Sequence, residues 1–120
     1  MAYLKEYSSG RNIVSIDSNY IKEYSTGRYI YRINGDKLAD YSTGRNIYTI
    51  EGDVVKDYST GRRILTITSN QVKEYSSGRI IAAYDNNYIK EYSSGRYMYR
   101  IDGFVSRKEM VMLLAVLFAI

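Results

Sequence analysis

The chain of 120 residues contains no Cys, no His, no Pro and no Trp. Without cysteine it can form no disulfide framework and carry out no thiolate chemistry. Without histidine it lacks the commonest general base and the commonest metal ligand. The absence of proline leaves every potential strand uninterrupted. Thiol and imidazole chemistry are therefore excluded from any function of the chain.

Tyrosine and positive charge are the residues that the chain has in excess. It contains 15 Tyr, and its formal net charge is +4, with a pI of about 9.2. Tyrosine and isoleucine favour strands, and a mildly basic chain suggests an anionic partner. The first seven residues, MAYLKEY, contain no apolar run of the signal-peptide type. Together with the absence of cysteine, this predicts a cytoplasmic location.

A 17-residue repeat runs through the chain without an insertion. In each unit a Tyr is followed by Ser, by Ser or Thr, by Gly and by Arg, and apolar residues follow that Arg at the second and fifth positions. A polar turn and a short segment ending in Glu or Asp complete most units. So constant a period predicts a repeat architecture. The repeated tyrosines are Tyr7, Tyr24, Tyr41, Tyr58, Tyr75 and Tyr92.

Each unit contains two strand-length segments and two turn signals. The segments are too short for helices and suit strands. Asn34-Gly35 and Asn86-Asn87 contain residues that tolerate positive φ, as tight hairpins need. The Ser-Thr-Gly and Ser-Ser-Gly segments predict three-residue loops with a left-handed Gly. The predicted strands cover residues 2–7, 11–16, 20–24, 28–33, 37–41, 45–50, 54–58, 62–67, 71–75, 79–84, 88–92 and 96–101.

Electrostatics favours an antiparallel meander over a β-solenoid. In a solenoid, equivalent residues of successive coils stack about 4.8 Å apart, which builds columns of Arg and columns of Glu or Asp. Like charges directly opposite each other destabilise a sheet. In a meander, equivalent residues are about 9.6 Å apart and a different strand lies between them. We therefore expect a meander, with a solenoid or an open single-layer sheet as the alternatives.

The turn positions also predict the register of the strands. The turn at 34–37 pairs Ile33 with Leu38, and the following loop pairs Leu38 with Tyr48. Because these three residues share one face, we expect that face to be the core. Asp40 falls on the same face but at the strand end, where a residue at the rim remains in contact with solvent.

The same register leaves one pair of residues ambiguous. Ile30 pairs with Tyr41 on the outer face, which places a repeated apolar pair outside. A β-bulge in each strand would instead turn these residues inward. Both alternatives remain open from the sequence.

The C-terminal segment, residues 104–120, differs from the repeats. Its last 11 residues are all apolar, and Ser106 with Glu109 forms a capping-box pattern. A helix that is apolar on all sides is buried in protein or in lipid. Eleven residues make about 16 Å of helix, whereas a membrane span needs about 20 residues. We therefore expect a buried helix and not an integral membrane protein.

A barrel of twelve strands would accommodate this helix. Strands about 4.8 Å apart and tilted by about 40° close to a diameter of roughly 24 Å, and an enclosed helix needs about 20 Å. Closure also removes both sheet edges. The prediction is one mainly β domain, a closed 12-stranded antiparallel meander barrel from residues 1–103 around a central helix from residues 104–120. The predicted helix core is Met110, Leu113, Leu114 and Leu117.

Twelve strands followed by one apolar C-terminal helix resemble the tubby-like fold group, which includes the LURP-one-related proteins and the phospholipid scramblases. The resemblance covers the whole chain and concerns the number and order of the elements. It implies a twelve-stranded barrel around a central apolar helix and an association with phosphoinositides or lipid membranes. It assigns no functional residue.

The repeated arginines are the candidate binding site. At one rim of the barrel they would form a basic ring able to hold phosphate groups of a phosphoinositide, free phosphate or nucleic acid. Alternatively, each pairs with Glu or Asp of a neighbouring strand. The tyrosines could stack on bases or lie at a membrane interface, or serve as cross-strand partners of Ile. The candidate arginines are Arg11, Arg28, Arg45, Arg62, Arg79 and Arg96.

The sequence indicates binding and not catalysis. The Ser-Ser-Gly or Ser-Thr-Gly motif recurs six times, whereas an active site would be singular. The carboxylates form no metal-ligand cluster, and no phosphate-binding Gly-rich loop precedes a helix. We expect no enzyme and no cofactor. The leading hypothesis is a non-catalytic structural or interaction protein with a protein partner. The alternatives are peripheral binding of anionic phospholipid or phosphoinositide and, with least support, nucleic-acid binding.

Overall fold

The computed structural model describes residues 2–119 as twelve strands followed by one helix. The boundaries of every strand lie within one residue of the predicted ones. The helix, α1, covers Arg107–Phe118. The strands are β1 Ala2–Glu6, β2 Asn12–Ile16, β3 Tyr20–Glu23, β4 Tyr29–Asn34, β5 Lys37–Asp40, β6 Asn46–Glu51, β7 Val54–Asp57, β8 Arg63–Ile67, β9 Gln71–Glu74, β10 Ile80–Tyr84, β11 Tyr88–Glu91 and β12 Tyr97–Asp102.

The strands form a closed antiparallel barrel. Each strand pairs with its neighbours in the sequence, and β1 pairs with β12 to close the sheet. In that last pair Leu4 lies opposite Ile101. The meander prediction is therefore confirmed, and the solenoid and the open sheet are excluded. Closure leaves no unpaired sheet edge.

The predicted register and inner face are also confirmed. Ile33 pairs with Leu38, and Leu38 pairs with Tyr48. All three side chains are buried in the central hydrophobic cluster. Asp40 lies opposite Tyr31 at the end of β5 and is half-buried. The strand faces thus alternate as the pleat requires.

A β-bulge resolves the pair that the sequence left ambiguous. Leu38 pairs with Tyr48 but Ala39 pairs with Asn46, so Ile47 is an extra residue in β6. The same register shift occurs in all six hairpins of this kind. The bulge turns Ile47 toward the core, whereas Tyr41 remains outside with 45% of its surface exposed. The bulged residues are Ile13, Ile30, Ile47, Ile64, Ile81 and Met98.

The turns at the rim opposite the Ser-Thr-Gly and Ser-Ser-Gly loops differ from the prediction in one respect. Gly35 has φ of 62°, but no described residue other than glycine has a positive φ. The expectation for Asn86-Asn87 was therefore wrong. There the carboxylate of Asp85 accepts hydrogen bonds from the amides of Asn87 and Tyr88, each at 2.8 Å. This side-chain turn replaces the left-handed backbone.

The helix occupies the centre of the barrel. Six consecutive residues, 110–115, are buried. Because a helical turn has 3.6 residues, six residues cover every face, so the sheet surrounds the helix. Of the predicted core residues, Met110, Leu113 and Leu114 are buried and Leu117 is half-buried.

A capping box sets the start of α1. The Ser106 hydroxyl accepts from the Glu109 amide, and the Glu109 carboxylate accepts from the Ser106 amide at 2.8 Å. The helix therefore begins at Arg107, and Phe104, in the predicted helical segment, is 83% exposed instead. Ile120 lies outside the described residues. Within residues 2–119, no helix has the length and hydrophobicity needed to cross a membrane.

Polar contacts fasten both ends of α1 to the barrel. At the first turn, Arg107 donates to the Ile67 carbonyl at 2.9 Å and to the Tyr84 hydroxyl. At the last turn, the Tyr48 hydroxyl donates to the Ala119 carbonyl at 3.0 Å. The helix thus runs from one rim of the barrel to the other.

Candidate anion-binding rim

Six loops of one design form the rim at which α1 ends, here called the loop rim. They join β1 to β2, β3 to β4, β5 to β6, β7 to β8, β9 to β10 and β11 to β12. In the loop after β5, the Gly44 amide donates to the Asp40 carbonyl at 2.8 Å. Gly44 has φ of 73°, a conformation that favours glycine. Because the same turn recurs in each loop, the arginine after the glycine occupies an equivalent position six times.

The carboxylate that precedes each loop tyrosine is engaged by its own loop. Glu6 accepts from the Ser9 hydroxyl at 2.7 Å, and Glu23 accepts from the Thr26 hydroxyl at 2.6 Å. The Ser59 hydroxyl lies 2.9 Å from Asp57 and lowers the pKa of that carboxyl. The Ser59 amide lowers it further, and the charge of Arg62 contributes least. For Asp57, the hydrogen bonds from Ser59 therefore outweigh the charge of Arg62.

The repeated arginines are consequently left without carboxylate partners. All six are exposed, and among residues 2–119 none of them forms an ion pair within 4.0 Å. The neighbouring-strand ion pairs that the sequence offered as an alternative do not form. Arginines and carboxylates are equal in number at the repeat positions of this rim. The carboxylates, however, are half-buried and hydrogen-bonded, so the guanidinium groups are the more accessible charges of the rim.

The centre of the loop rim is apolar. Leu117 and Phe118, in the last turn of α1, are half-buried and pack against the core cluster. A cleft of about 740 Å³ leads from this helix end to Arg62, and Phe118 and Ile64 lie in its wall. Smaller clefts lie between the fifth and sixth loops and between the sixth and first loops. The site therefore combines an apolar centre with a ring of guanidinium groups.

Within residues 2–119, no group of three or more carboxylates is placed to hold a metal ion. The groups with shifted pKa values lie in turns, in loops or on the inner face of the barrel, and each shift has a structural cause. Burial, followed by the charge of Asp57, raises the pKa of Tyr48. Lys37 lowers the pKa of Asp36 through a hydrogen bond and through its charge.

The structure also shows tyrosine clusters on the outer wall that the sequence analysis missed. Tyr29 and Tyr41 stack with ring centroids 5.0 Å apart, and Tyr7 and Tyr97 stack at the same distance. The available signal was a departure from the repeat, because Tyr occupies the position of Tyr29 in only two of the six units. Tyr7 and Tyr97 meet only because β1 pairs with β12, which no local pattern reveals.

Comparison of the chain with models of protein families, with curated proteins and with solved structures finds no match. The resemblance to the tubby-like group therefore stays an expectation based on the number and order of elements. The function must be argued from the site itself.

Proposed function

We propose that the protein is a non-catalytic binding module whose loop rim docks on an anionic phospholipid surface. The observation that carries the proposal is the ring of exposed arginines, free of ion pairs within residues 2–119, around the apolar end of α1.

The chemistry of the ring suits phosphate. A guanidinium group donates two parallel hydrogen bonds to phosphate oxygens, which a lysine ammonium does not match. Each basic residue near an anionic membrane contributes roughly 1 kcal/mol. Because the arginines share one rim, binding of a first headgroup by one arginine raises the effective concentration of further headgroups at the remaining arginines.

The other groups of the rim fit the same surface. Leu117 and Phe118 lie at the centre, where they would face the acyl boundary. Tyr41 is 45% exposed beside the ring, and tyrosine is enriched at membrane interfaces. Anionic lipids concentrate in the cytoplasmic leaflet, so a cytoplasmic location belongs to the same proposal.

Co-sedimentation with liposomes of zwitterionic lipid, with and without phosphatidylserine, tests the proposal. We expect the protein to pellet only with the anionic vesicles and less at high salt. The variant Arg45→Gln/Arg62→Gln should pellet less. The matched control Lys56→Gln/Lys73→Gln removes the same charge from the outer wall and should pellet as the unmodified protein does. Pelleting that is independent of phosphatidylserine, or equal loss in both variants, would refute the proposal.

A further inference from the structure

A triad of tyrosines lies on the outer wall, with Tyr20 in β3, Tyr29 in β4 and Tyr41 directly after β5. The ring centroids of Tyr20 and Tyr29 are 4.7 Å apart, those of Tyr29 and Tyr41 are 5.0 Å apart, and those of Tyr20 and Tyr41 are 5.9 Å apart. Tyr29 is 40% exposed and Tyr41 is 45% exposed. The three rings therefore pack against one another, and those of Tyr29 and Tyr41 remain partly exposed to solvent.

A second triad repeats this geometry at β11, β12 and β1. It consists of Tyr88, Tyr97 and Tyr7, with centroid distances of 5.0 to 6.0 Å. Tyr88 and Tyr97 follow Tyr20 and Tyr29 by four repeats. Tyr7 occupies the position that Tyr41 has in the first triad. It does so because β1 pairs with β12 and so follows the sixth repeat in the closed sheet.

The strand tyrosines of both triads belong to one continuous half of the barrel, here called the tyrosine face, which covers the outer wall from β11 through β12, β1, β2 and β3 to β4. Tyr41 adjoins this face from the loop after β5. Tyr3 and Tyr24 lie between the triads and contact each other at 5.6 Å. The other half of the wall lacks the strand tyrosines, although the loop tyrosines Tyr58 and Tyr75 are exposed there. The positions equivalent to Tyr20 and Tyr29 hold Lys37, Asn46, Val54, Arg63, Gln71 and Ile80 there.

Cations accompany each triad. The Lys22 ammonium lies 5.0 Å from the centroid of the Tyr29 ring, and that of Lys90 lies 5.3 Å from the Tyr97 ring. Arg32 is the cross-strand partner of Tyr20, and Arg100 is the partner of Tyr88. Lys5 also lies on this face, paired with Asp102 at 3.2 Å. The tyrosine face is therefore both aromatic and basic.

We infer that the tyrosine face binds single-stranded nucleic acid. Bases stack on exposed aromatic rings irrespective of sequence, and flanking Lys and Arg neutralise the phosphates. Six strands span an arc of roughly 24 Å, which suits the short end of single-strand sites, about four nucleotides.

The curvature of the wall favours a flexible strand over a membrane. The triads lie two repeats apart in a closed ring of six, which places them about a third of the circumference from each other. A planar bilayer cannot contact both at once, whereas a single strand can follow the convex wall. The four strand tyrosines that carry this inference, Tyr20, Tyr29, Tyr88 and Tyr97, do not belong to the loop rim, whereas the loop tyrosines Tyr7 and Tyr41 adjoin both surfaces.

Fluorescence anisotropy of a labelled 12-nucleotide oligo(dT) tests the inference. We expect saturable binding at 50 mM salt that weakens steeply toward 200 mM. The repeat supplies variants that preserve the fold and the net charge, because other units hold Asn or Gln at the same positions. The variant Tyr20→Gln/Tyr29→Asn/Tyr88→Gln/Tyr97→Asn should bind at least about tenfold more weakly. Its control, Val54→Gln/Ile80→Asn, alters equivalent positions on the other half and should bind as the unmodified protein does.

Four results would overturn the inference: no binding at low salt, unchanged binding by the tyrosine variant, equal weakening in its control, or competition by inorganic polyphosphate as effective as that by unlabelled oligo(dT). Binding of the tyrosine face to vesicles but not to oligo(dT) would assign it to a membrane and overturn it as well. Circular dichroism confirms that each variant is folded. The tyrosine variant should still pellet with anionic liposomes, and Arg45→Gln/Arg62→Gln should still bind oligo(dT), so the two proposals fail separately.

Discussion

The substitution Leu114→Ala should remove a large part of the stability of the barrel. Leu114 lies in the middle of α1, is fully buried and belongs to the central cluster. Substitutions of buried Leu by Ala lower the free energy of unfolding by about 2.7 to 5 kcal/mol, and by more where the site cannot collapse. The continuous hydrogen-bonded sheet around the helix limits collapse, so we expect a loss of about 4 kcal/mol. Domains typically have only about 5 to 15 kcal/mol in total.

Urea unfolding followed by far-ultraviolet circular dichroism measures this loss. The control Phe104→Ala removes a larger side chain from the same C-terminal segment, but one that is 83% exposed. Its effect should remain within about 0.5 kcal/mol. A loss below about 1 kcal/mol for Leu114→Ala would refute the central position of the helix, since a peripheral tail leaves no cavity when it is truncated.

Three further substitutions test individual contacts by the same urea assay. Ser106→Ala removes the helix cap and should lower the free energy of unfolding by about 1 kcal/mol, whereas Ser106→Asp should retain most of it. Tyr48→Phe removes the hydrogen bond to the Ala119 carbonyl and should cost about 1 kcal/mol at neutral pH. Burial raises the pKa of Tyr48 and Tyr31 above 10.0. The stability that the two neutral hydroxyls contribute is therefore complete below pH 10 and is lost as the pH rises through the folded-state pKa. Tyr48→Phe should make the free energy of unfolding fall less steeply at alkaline pH, and an unchanged fall would contradict this assignment. Gly44→Ala requires alanine to adopt φ of 73°, although its added Cβ meets no atom within 4 Å. The free energy of unfolding should therefore fall by about 1 to 2 kcal/mol through backbone strain alone, and Gly44→Asn should lower it less.

Local signals were sufficient to predict the strands, the register and the helix. The Ser-Thr-Gly loop after Tyr41 and the Asn34-Gly35 turn each mark a strand end, and a period of two then pairs Ile33 with Leu38. The apolar run after residue 109 and the capping box identified the helix. These features depend on residues close together in the chain.

The features that the sequence left open depend on closure and on loop geometry. The bulge at Ile47 lies three residues after Gly44, and the apolar pattern alone is equally compatible with both faces. The contact between Tyr7 and Tyr97 requires residues at opposite ends of the repeat array to meet. The sequence contained a signal that the arginines lack ion-pair partners. A Ser or Thr lies three residues after each carboxylate, and its hydroxyl competes with the arginine for that carboxylate.

The most direct test of the fold uses the absence of cysteine, because a single introduced thiol reports its own accessibility. Leu114→Cys places that thiol inside the barrel, and Phe104→Cys places one on the surface. In the folded, lipid-free protein, a barrel closed around its helix predicts that a thiol reagent labels Phe104→Cys at once and Leu114→Cys only at the rate of unfolding. Equally rapid labelling of both variants, with the β-sheet signal intact, would show that the helix does not lie inside the barrel.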